Sequence, residues 1–190
     1  GYAGEVKETK VLIRETDGIK GAIKIEGSVF GGGEGITATV YESTKVEIRL
    51  NLNQTVEETL VDTNSITEVP SGESACNVEI EEGYSYIQGS VYGGGDLGQI
   101  GKGIIDTSNN TATISEEGRT EVKVENGYTG GSVFGGGNGI PTSGTYQLKM
   151  GTVYGSTKVE INGGYIEENV YGGGKQSRVY FGNLNDESIK

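Results

Sequence analysis

The feature that most constrains this chain is an internal repeat. A block of the form Thr-x-Val-x-Ile occurs as TKVLI at 9–13 and as TKVEI at 44–48 and 157–161, with the variants CNVEI at 76–80 and TEVKV at 120–124. Successive copies begin 35, 32, 44 and 37 residues apart. Self-similarity at a period of this size is typical of proteins that stack one structural unit on the next. We therefore expect a single domain over residues 1–190, with repeats near 9–43, 44–75, 76–119, 120–156 and 157–190.

A second block, rich in glycine, accompanies the first. It reads GSVFGGG at 27–33 and 131–137, GSVYGGG at 89–95 and NVYGGG at 169–174, with a partial copy at 151–156. No copy is recognisable between 55 and 70. Short runs rich in Val, Ile and Tyr, separated by glycine, indicate strands, and nothing shows the 3.6-residue period of an amphipathic helix. The pattern predicts an all-β chain folded as a parallel β-solenoid, a right-handed β-helix of about five irregular coils.

Alternation within the strand block predicts which side chains face the core. Thr, Val and Ile share one face of the strand, and the charged residues between them share the other. We expect one buried row made of Val11, Val46, Val78, Val122 and Val159. Cys76 takes the inward slot that threonine holds in the other copies, and Leu12 faces outward. On the outer face, Lys123 is expected between Glu79 and Glu160, where opposite charges support the register.

Composition excludes several classes of function. The chain has 35 glycines and only 33% hydrophobic residues, which suits either disorder or thin stacked layers, and the clustered β-like runs favour the layers. A net charge of −12 disfavours binding to nucleic acid and to anionic membranes. A lone cysteine allows no internal disulfide. No apolar run approaches the length of a membrane helix and no signal-peptide pattern opens the chain, so we expect no membrane insertion in this segment and a fragment of a longer protein.

The triple glycines resemble two ligand-binding motifs, and neither fits. A phosphate-binding loop needs a following Lys-Ser/Thr and a helix, which are missing. The segment at 93–101 is similar to a calcium-binding nonapeptide, but the residue after the glycines is Glu34, Asp96, Asn138 or Lys175 in different repeats. Lysine is incompatible with a ladder of cations, so we predict no metal site, no cofactor and stability that chelators do not change. The glycines are expected to serve positive φ angles and close backbone approach at corners.

Catalysis is not indicated either. Many parallel β-helices cleave polysaccharides, a chemistry that needs paired carboxylates or a cation beside a base. The five aspartates are scattered along the sequence at Asp17, Asp62, Asp96, Asp106 and Asp186. Most glutamates alternate with core residues, as on a solvated face. We therefore predict no catalytic residue and no enzyme.

One aromatic residue recurs after the valine of each glycine block. This candidate ligand-facing aromatic ladder consists of Phe30, Tyr92, Phe134 and Tyr171. Alternation turns the rings away from the valines, where an exposed strip would stack on sugar rings and a covered strip would stabilise the stack. Of these two roles we expect the structural one. The missing glycine block of the second repeat predicts a gap between Phe30 and Tyr92.

The combined pattern T-x-V-x-I…G-x-[SN]-V-[FY]-G-G-G resembles the glycine-rich repeats of large bacterial surface proteins, including autotransporter-like and adhesin β-helices. The resemblance covers nearly the whole chain and departs from it near residues 55–75. It implies a non-catalytic structural or adhesive module, extracellular or on the bacterial cell surface, with a host protein, matrix protein or glycan as partner. Two alternatives stay open: a carbohydrate-binding module that uses the aromatic ladder, and a polysaccharide-active β-helix.

Overall fold

Short β-strands form the regular structure of the chain. The computed structural model describes residues 4–15, 23–50, 85–106, 108–109, 111–140 and 149–180, and none of these lies in an α-helix. The strands are β1 (Glu5–Arg14), β2 (Lys24–Ile25), β3 (Val29–Phe30), β4 (Thr39–Arg49), β5 (Tyr86–Ile87), β6 (Val91–Tyr92), β7 (Gln99–Ile100), β8 (Lys102–Asp106), β9 (Thr111–Glu116), β10 (Gly118–Asn126), β11 (Tyr128–Thr129), β12 (Val133–Phe134), β13 (Val153–Ile161), β14 (Tyr165–Ile166), β15 (Val170–Tyr171) and β16 (Val179–Tyr180).

Three parallel sheets are built from strands that recur with the repeat. The first has the order β1-β4-β10-β13-β16, with β7 pairing to β4 and β13; the second has the order β14-β11-β5-β2, and the third β15-β12-β6-β3. The chain visits the sheets in turn, as in β1, β2, β3 and then β4. Four successive turns thus add one strand each to the second and third sheets, whereas the first sheet also contains β7 and β16, and the all-β class with parallel sheets is confirmed. One antiparallel hairpin, β8 with β9, projects between β7 and β10.

The strand block points the way its alternation predicts. Val46 of β4 pairs with Val122 of β10, and both side chains are fully buried. They belong to a core cluster that also includes Ile48, Val91 and Val133, so the inner faces of the first and third sheets meet there. The outward Leu12 is exposed, also as predicted.

The predicted row of five valines is wrong at one place. Because Val46 pairs directly with Val122, the Val78 copy of the block does not lie between them. Residues 76–80, and with them Cys76, lie outside the described residues. On the outer face Lys123 lies between Glu47 and Glu160, so the predicted neighbour Glu79 is wrong as well. In chain order, residues 51–84 fall between β4 and β5 and separate two halves of one repeat.

Each threonine of the strand block is hydrogen-bonded to the glycine block of its own repeat. The hydroxyl Oγ1 donates to the carbonyl of the first glycine of the triplet, in the pairs Thr9 to Gly31 (2.5 Å), Thr44 to Gly93 (2.5 Å), Thr120 to Gly135 (2.6 Å) and Thr157 to Gly172 (2.6 Å). In the second and third turns, where the pairs are buried, the hydroxyl and the carbonyl satisfy each other away from water. The two sequence motifs are therefore the two ends of one contact that crosses the interior.

The glycine triplets are required by close packing of one turn on the next. A Cβ atom on Gly93 would lie 2.3 Å from the carbonyl oxygen of Gly135, and one on Gly135 would lie 2.3 Å from that of Gly172. None of the described triplet glycines has a positive φ angle, so that part of the prediction is wrong. Positive φ occurs instead at Gly127 (125°) and Gly164 (97°), which form the turn before β11 and β14.

Most of β13, in the last repeat, has a strand neighbour on one edge only among the described residues. β16 pairs with β13 only at Val153 and Tyr154, so the rest of β13 has no further neighbour among the described residues. Val159 is therefore only partly buried, although the alternation predicts full burial, and Ile161 is exposed.

Candidate functional site

The four aromatic residues of the third sheet form one continuous stack. Ring centroids are 4.7 Å apart for Phe30 and Tyr92, 4.8 Å for Tyr92 and Phe134, and 4.9 Å for Phe134 and Tyr171. The interplanar angles lie between 4° and 11°. The centroid spacing matches the separation of hydrogen-bonded strands, because each ring follows its strand in the register of the sheet. The stack places the flat faces of the rings against one another.

The predicted gap in the aromatic ladder is wrong. Phe30 stacks directly on Tyr92 because β3 pairs with β6, and the glycine block that belongs to the second turn is the one at 89–95. Tyr92 and Phe134 are buried, with 3% and 7% of their surface exposed, whereas Tyr171 at the end is 45% exposed. The inner two rings therefore present no flat face to a ligand. Only Tyr171 has one ring face free of a ladder neighbour and a large exposed surface.

A row of hydroxyl groups runs beside the aromatic ladder. The backbone N–H of Ser90 donates to Oγ of Ser28 (3.0 Å), and that of Ser132 donates to Oγ of Ser90 (3.1 Å). In the last repeat the N–H of Asn169 donates to Oγ of Ser132 (3.3 Å). The Ser132 hydroxyl in turn donates to a carboxylate oxygen of Glu168 (2.7 Å). Each serine therefore ties one turn to the next at the side of the rings.

The residues that follow the triple glycines form a second polar column. Glu34, Asp96, Asn138 and Lys175 pair in this order through parallel bridges. The side-chain amide of Asn138 donates to Asp96 (2.8 Å). Among the described residues, no group of three or more histidine, cysteine, aspartate or glutamate side chains is arranged to hold a metal ion. The column changes from acidic at one end to basic at the other.

An open groove of about 700 Å³ lies at the exposed end of the ladder. Its walls include the rings of Phe134 and Tyr171, the carboxylates of Glu167 and Glu168, and the ammonium of Lys175. The groove thus combines an aromatic surface with acceptors and a cationic donor, the kind of lining that suits a polar ligand with apolar ring faces. Of the four predicted ladder residues, the structure brings two to this groove, and their ligand-facing role stays a prediction.

The pKa values of one tyrosine that contacts a groove residue and of three carboxyl groups outside the groove lining are shifted. The Tyr128 hydroxyl donates to Glu167, and burial together with that carboxylate raises the pKa of Tyr128 to about 12. Hydrogen bonds from lysine or amide donors lower the carboxyl pKa of Asp106, Glu125 and Glu160. A general acid at a glycosidic bond needs the opposite shift. The shifts at these three carboxyl groups therefore do not suit that role.

The outer face of the first sheet carries an alternating array of charges. One row reads Lys45, Glu121, Lys158, with nitrogen to oxygen distances of 3.4 and 3.8 Å. The next row places Lys123 between two glutamates and 3.5 Å from Glu160. Hydrogen bonds from Lys158 and from an asparagine amide lower the pKa of Glu160 to about 2. Lys123 and Glu160 are half-buried against each other, whereas the alternation predicts exposure. The opposite-charge pairs support register, although the first two turns also place Lys10 beside Lys45.

Sequence reasoning did not single out the serine row, Glu167, Glu168 or Asn169 as site residues. The serine was visible as the recurring second residue of GSV[FY]GGG, and its replacement by Asn169 marked the last repeat as different. Glu167 and Glu168 carry no signal of this kind. Both acidic residues occur where other repeats hold Gln88-Gly89 or Gly130-Gly131, and only the structure places them beside the exposed ring.

The chain shows no significant match to any family model, curated protein or solved structure with which it was compared. The described residues include no helix long and apolar enough to cross a bilayer. A function must therefore be argued from the stack and the groove themselves.

Proposed function

We propose that this chain is a right-handed parallel β-solenoid that serves as a non-catalytic structural or adhesive module on the bacterial cell surface. The observation that carries the proposal is the use of every recurring side chain for stacking. The inward valines, the Thr-to-glycine bonds, the serine row and the aromatic ladder all link one turn to the next. Repeats whose recurring side chains contact the neighbouring turn form an elongated stack, which can separate other parts of a protein.

The solenoid is best counted as four stacked turns with a fifth begun by β16, within the described residues. The long strands of the second and third turns, β4 and β10, are direct neighbours, so no further turn lies between them. Right-handed coiling is the usual hand for parallel strands joined by crossovers in one sheet. The surface location rests on the resemblance of the repeat to glycine-rich adhesin β-helices. Host or matrix proteins and glycans remain the proposed partners.

A second candidate function is carbohydrate binding at the groove beside Tyr171. It is favoured by the exposed ring and the neighbouring carboxylates and ammonium group, since sugars are bound by aromatic stacking and by hydrogen bonds to polar side chains. The inner ladder does not contribute to this candidate, because its rings are buried.

The surface role is tested on intact cells of the producing bacterium with a lysine reagent that does not cross membranes. The outward lysines, of which Lys158 is well exposed, should be labelled without lysis. Labelling that appears only after lysis contradicts the surface location. The non-catalytic role is tested with purified chain on a panel of acidic and neutral polysaccharides, where release of reducing ends or unsaturated products would refute it.

The groove is tested separately on a glycan array with wild type and Tyr171→Ala, using Ile104→Ala as the control. Ile104 is 74% exposed on the β8–β9 hairpin and lines no part of the groove. Binding that Tyr171→Ala removes and Ile104→Ala keeps supports the carbohydrate-binding candidate. Binding unaffected by either change places any adhesive surface elsewhere and rejects the groove.

A further inference from the structure

Both ends of the stack present strands with one unpaired edge. At the upper end, β1, β2 and β3 each pair on one side only within the described residues. At the lower end the same holds for β14, β15 and the part of β13 after Gly155. Unpaired edges of parallel strands are templates for pairing with another chain. We propose that the chain stacks head to tail with a second copy of itself, so that the upper end of one copy continues the three sheets of the other.

Glycines recur at the lower end at positions where the described residues of one copy bring no atom close to them. Gly93 and Gly135 are required because a Cβ atom there would lie 2.3 Å from the carbonyl of the next turn. The equivalent Gly172, and Gly173 beside it, have no atom within 4 Å of the position that a Cβ would occupy. A further turn stacked below would bring a backbone carbonyl close to Gly172, as the carbonyl of Gly172 lies close to Gly135.

The upper end shows the complementary feature. A Cβ atom on Gly89 would lie 2.7 Å from the carbonyl oxygen of Gly27 in the turn above, and one on Gly131 would lie 2.8 Å from the carbonyl carbon of Gly89. Gly27 itself has nothing within 4 Å. Each end of the stack thus has a glycine, Gly27 or Gly172, at a position where the inner turns have close backbone contacts. The two ends therefore fit each other as the inner turns do.

The side chains at the two ends also match. Phe30 has a ring on one face only, and so does Tyr171, so a second copy would extend the ladder at the same spacing of about 4.8 Å between strands. Val170 and Tyr171 are about half exposed at the lower end and would be covered. Burial of apolar surface of this kind favours association.

Charge supports the same arrangement. The polar column that begins at Glu34 ends at Lys175, so head-to-tail stacking places a carboxylate beside an ammonium group. The same register would place Lys10 beside Lys158, which is unfavourable, but Lys10 already lies beside Lys45 within the stack. Since the two surfaces in contact are different, the contact does not close and leads to linear oligomers. The inference stands apart from the surface role, because it depends only on the two ends.

The test is sedimentation velocity of the 190-residue chain over a range of concentrations. Wild type should form elongated species that grow in steps of 19.9 kDa. Gly172→Val should remain monomeric at concentrations at which wild type associates, with an unchanged circular dichroism spectrum and melting temperature, because its side chain meets no atom of its own copy. Ile104→Ser, on the exposed hairpin, should associate like wild type. Wild type that stays monomeric throughout, or association that Gly172→Val leaves intact, would overturn the proposal.

Direction is tested by disulfide trapping in a Cys76→Ser background. Within the stack, position 12 pairs with 47, and 123 pairs with 160, on the outer face. A Leu12→Cys copy mixed with a Glu160→Cys copy should therefore give a mixed dimer on oxidation, since adjacent strand positions meet the Cα spacing of a disulfide. Dimers of Leu12→Cys alone in greater amount would show that the ends meet head to head and would reject the arrangement.

Discussion

Replacing Phe134 by alanine is the change that best separates a structural aromatic ladder from a binding surface. The ring is 7% exposed and lies between Tyr92 and Tyr171 at 4.8 and 4.9 Å. Truncation of a buried phenylalanine costs about 3–5 kcal/mol, from lost transfer free energy and from the cavity that remains. Because rings cover both faces of Phe134, the cavity has little chance to collapse. We expect a loss of about 4 kcal/mol in the free energy of unfolding.

Tyr171→Ala is the matched control, because the residue occupies the same position in the last turn. It is 45% exposed and has a ring on one face only. A single stacked pair contributes about 0.5–1.5 kcal/mol, so the expected loss is about 1 kcal/mol.

Both variants are compared with wild type by urea unfolding followed by far-ultraviolet circular dichroism, since the chain has no tryptophan. A Phe134→Ala protein that unfolds at the wild-type midpoint, or that loses glycan binding without losing stability, would refute the structural assignment.

Three further changes probe the core, the charged face and the glycines. Val122→Asp places an unpaired charge at a fully buried position and should prevent folding. Val159→Asp, at a partly buried position in the last turn, should leave a folded protein with a lower melting temperature. Equal effects of the two changes would contradict the described packing. Because the pKa of Glu160 is lowered to about 2 in the folded chain, its contribution to stability is present above the unfolded pKa of about 4.3 and is lost as the pH falls towards 2. We expect the melting temperature to fall between pH 5 and pH 2.5 and to depend on salt. A melting temperature that does not change over this pH range, or that 1 M salt does not affect, would argue against this contribution. Gly135→Ala should strongly lower the melting temperature, whereas Gly172→Ala should leave it unchanged. Thermal melting at a concentration too low for association measures both. Similar decreases in melting temperature for the two variants would show that the turns are less closely packed.

The alternation of Thr-x-Val-x-Ile was enough to predict the strands and their inward face. Side chains in a strand alternate with a period of two, so Val46 and Val122 could only share the face opposite to Glu47 and Lys123. Parallel pairing followed from the repeat, since identical blocks stack in register when each turn runs in the same direction. The reason for the triple glycines was only half accessible: the predicted close backbone approach is confirmed, whereas the predicted positive φ angles are wrong for the triplets.

The site was less predictable than the fold. That Phe30, Tyr92, Phe134 and Tyr171 align followed from their shared repeat position, but burial of the middle rings depends on which turns flank them. The groove lies beside Tyr171 where the described part of the aromatic ladder ends, with Glu167 and Glu168 at the positions of Gln88-Gly89 and Gly130-Gly131. An end is not visible in a repeat pattern.

The misplaced second repeat could have been detected from one spacing that the structure explains. The threonine of the strand block and the first glycine of its triplet must lie in one turn, because the hydroxyl donates to the carbonyl across the interior. They are 15 residues apart in the third and fourth turns and 22 in the first, but 49 in the second. Residues 51–84, which lie between β4 and β5 in the sequence, account for that excess. The block at 76–80 falls within this excess, and Gly93 already accepts the hydroxyl of Thr44. Sequence similarity alone would make the 76–80 block a coil of its own, whereas the pairing of threonine with glycine assigns that turn to Thr44.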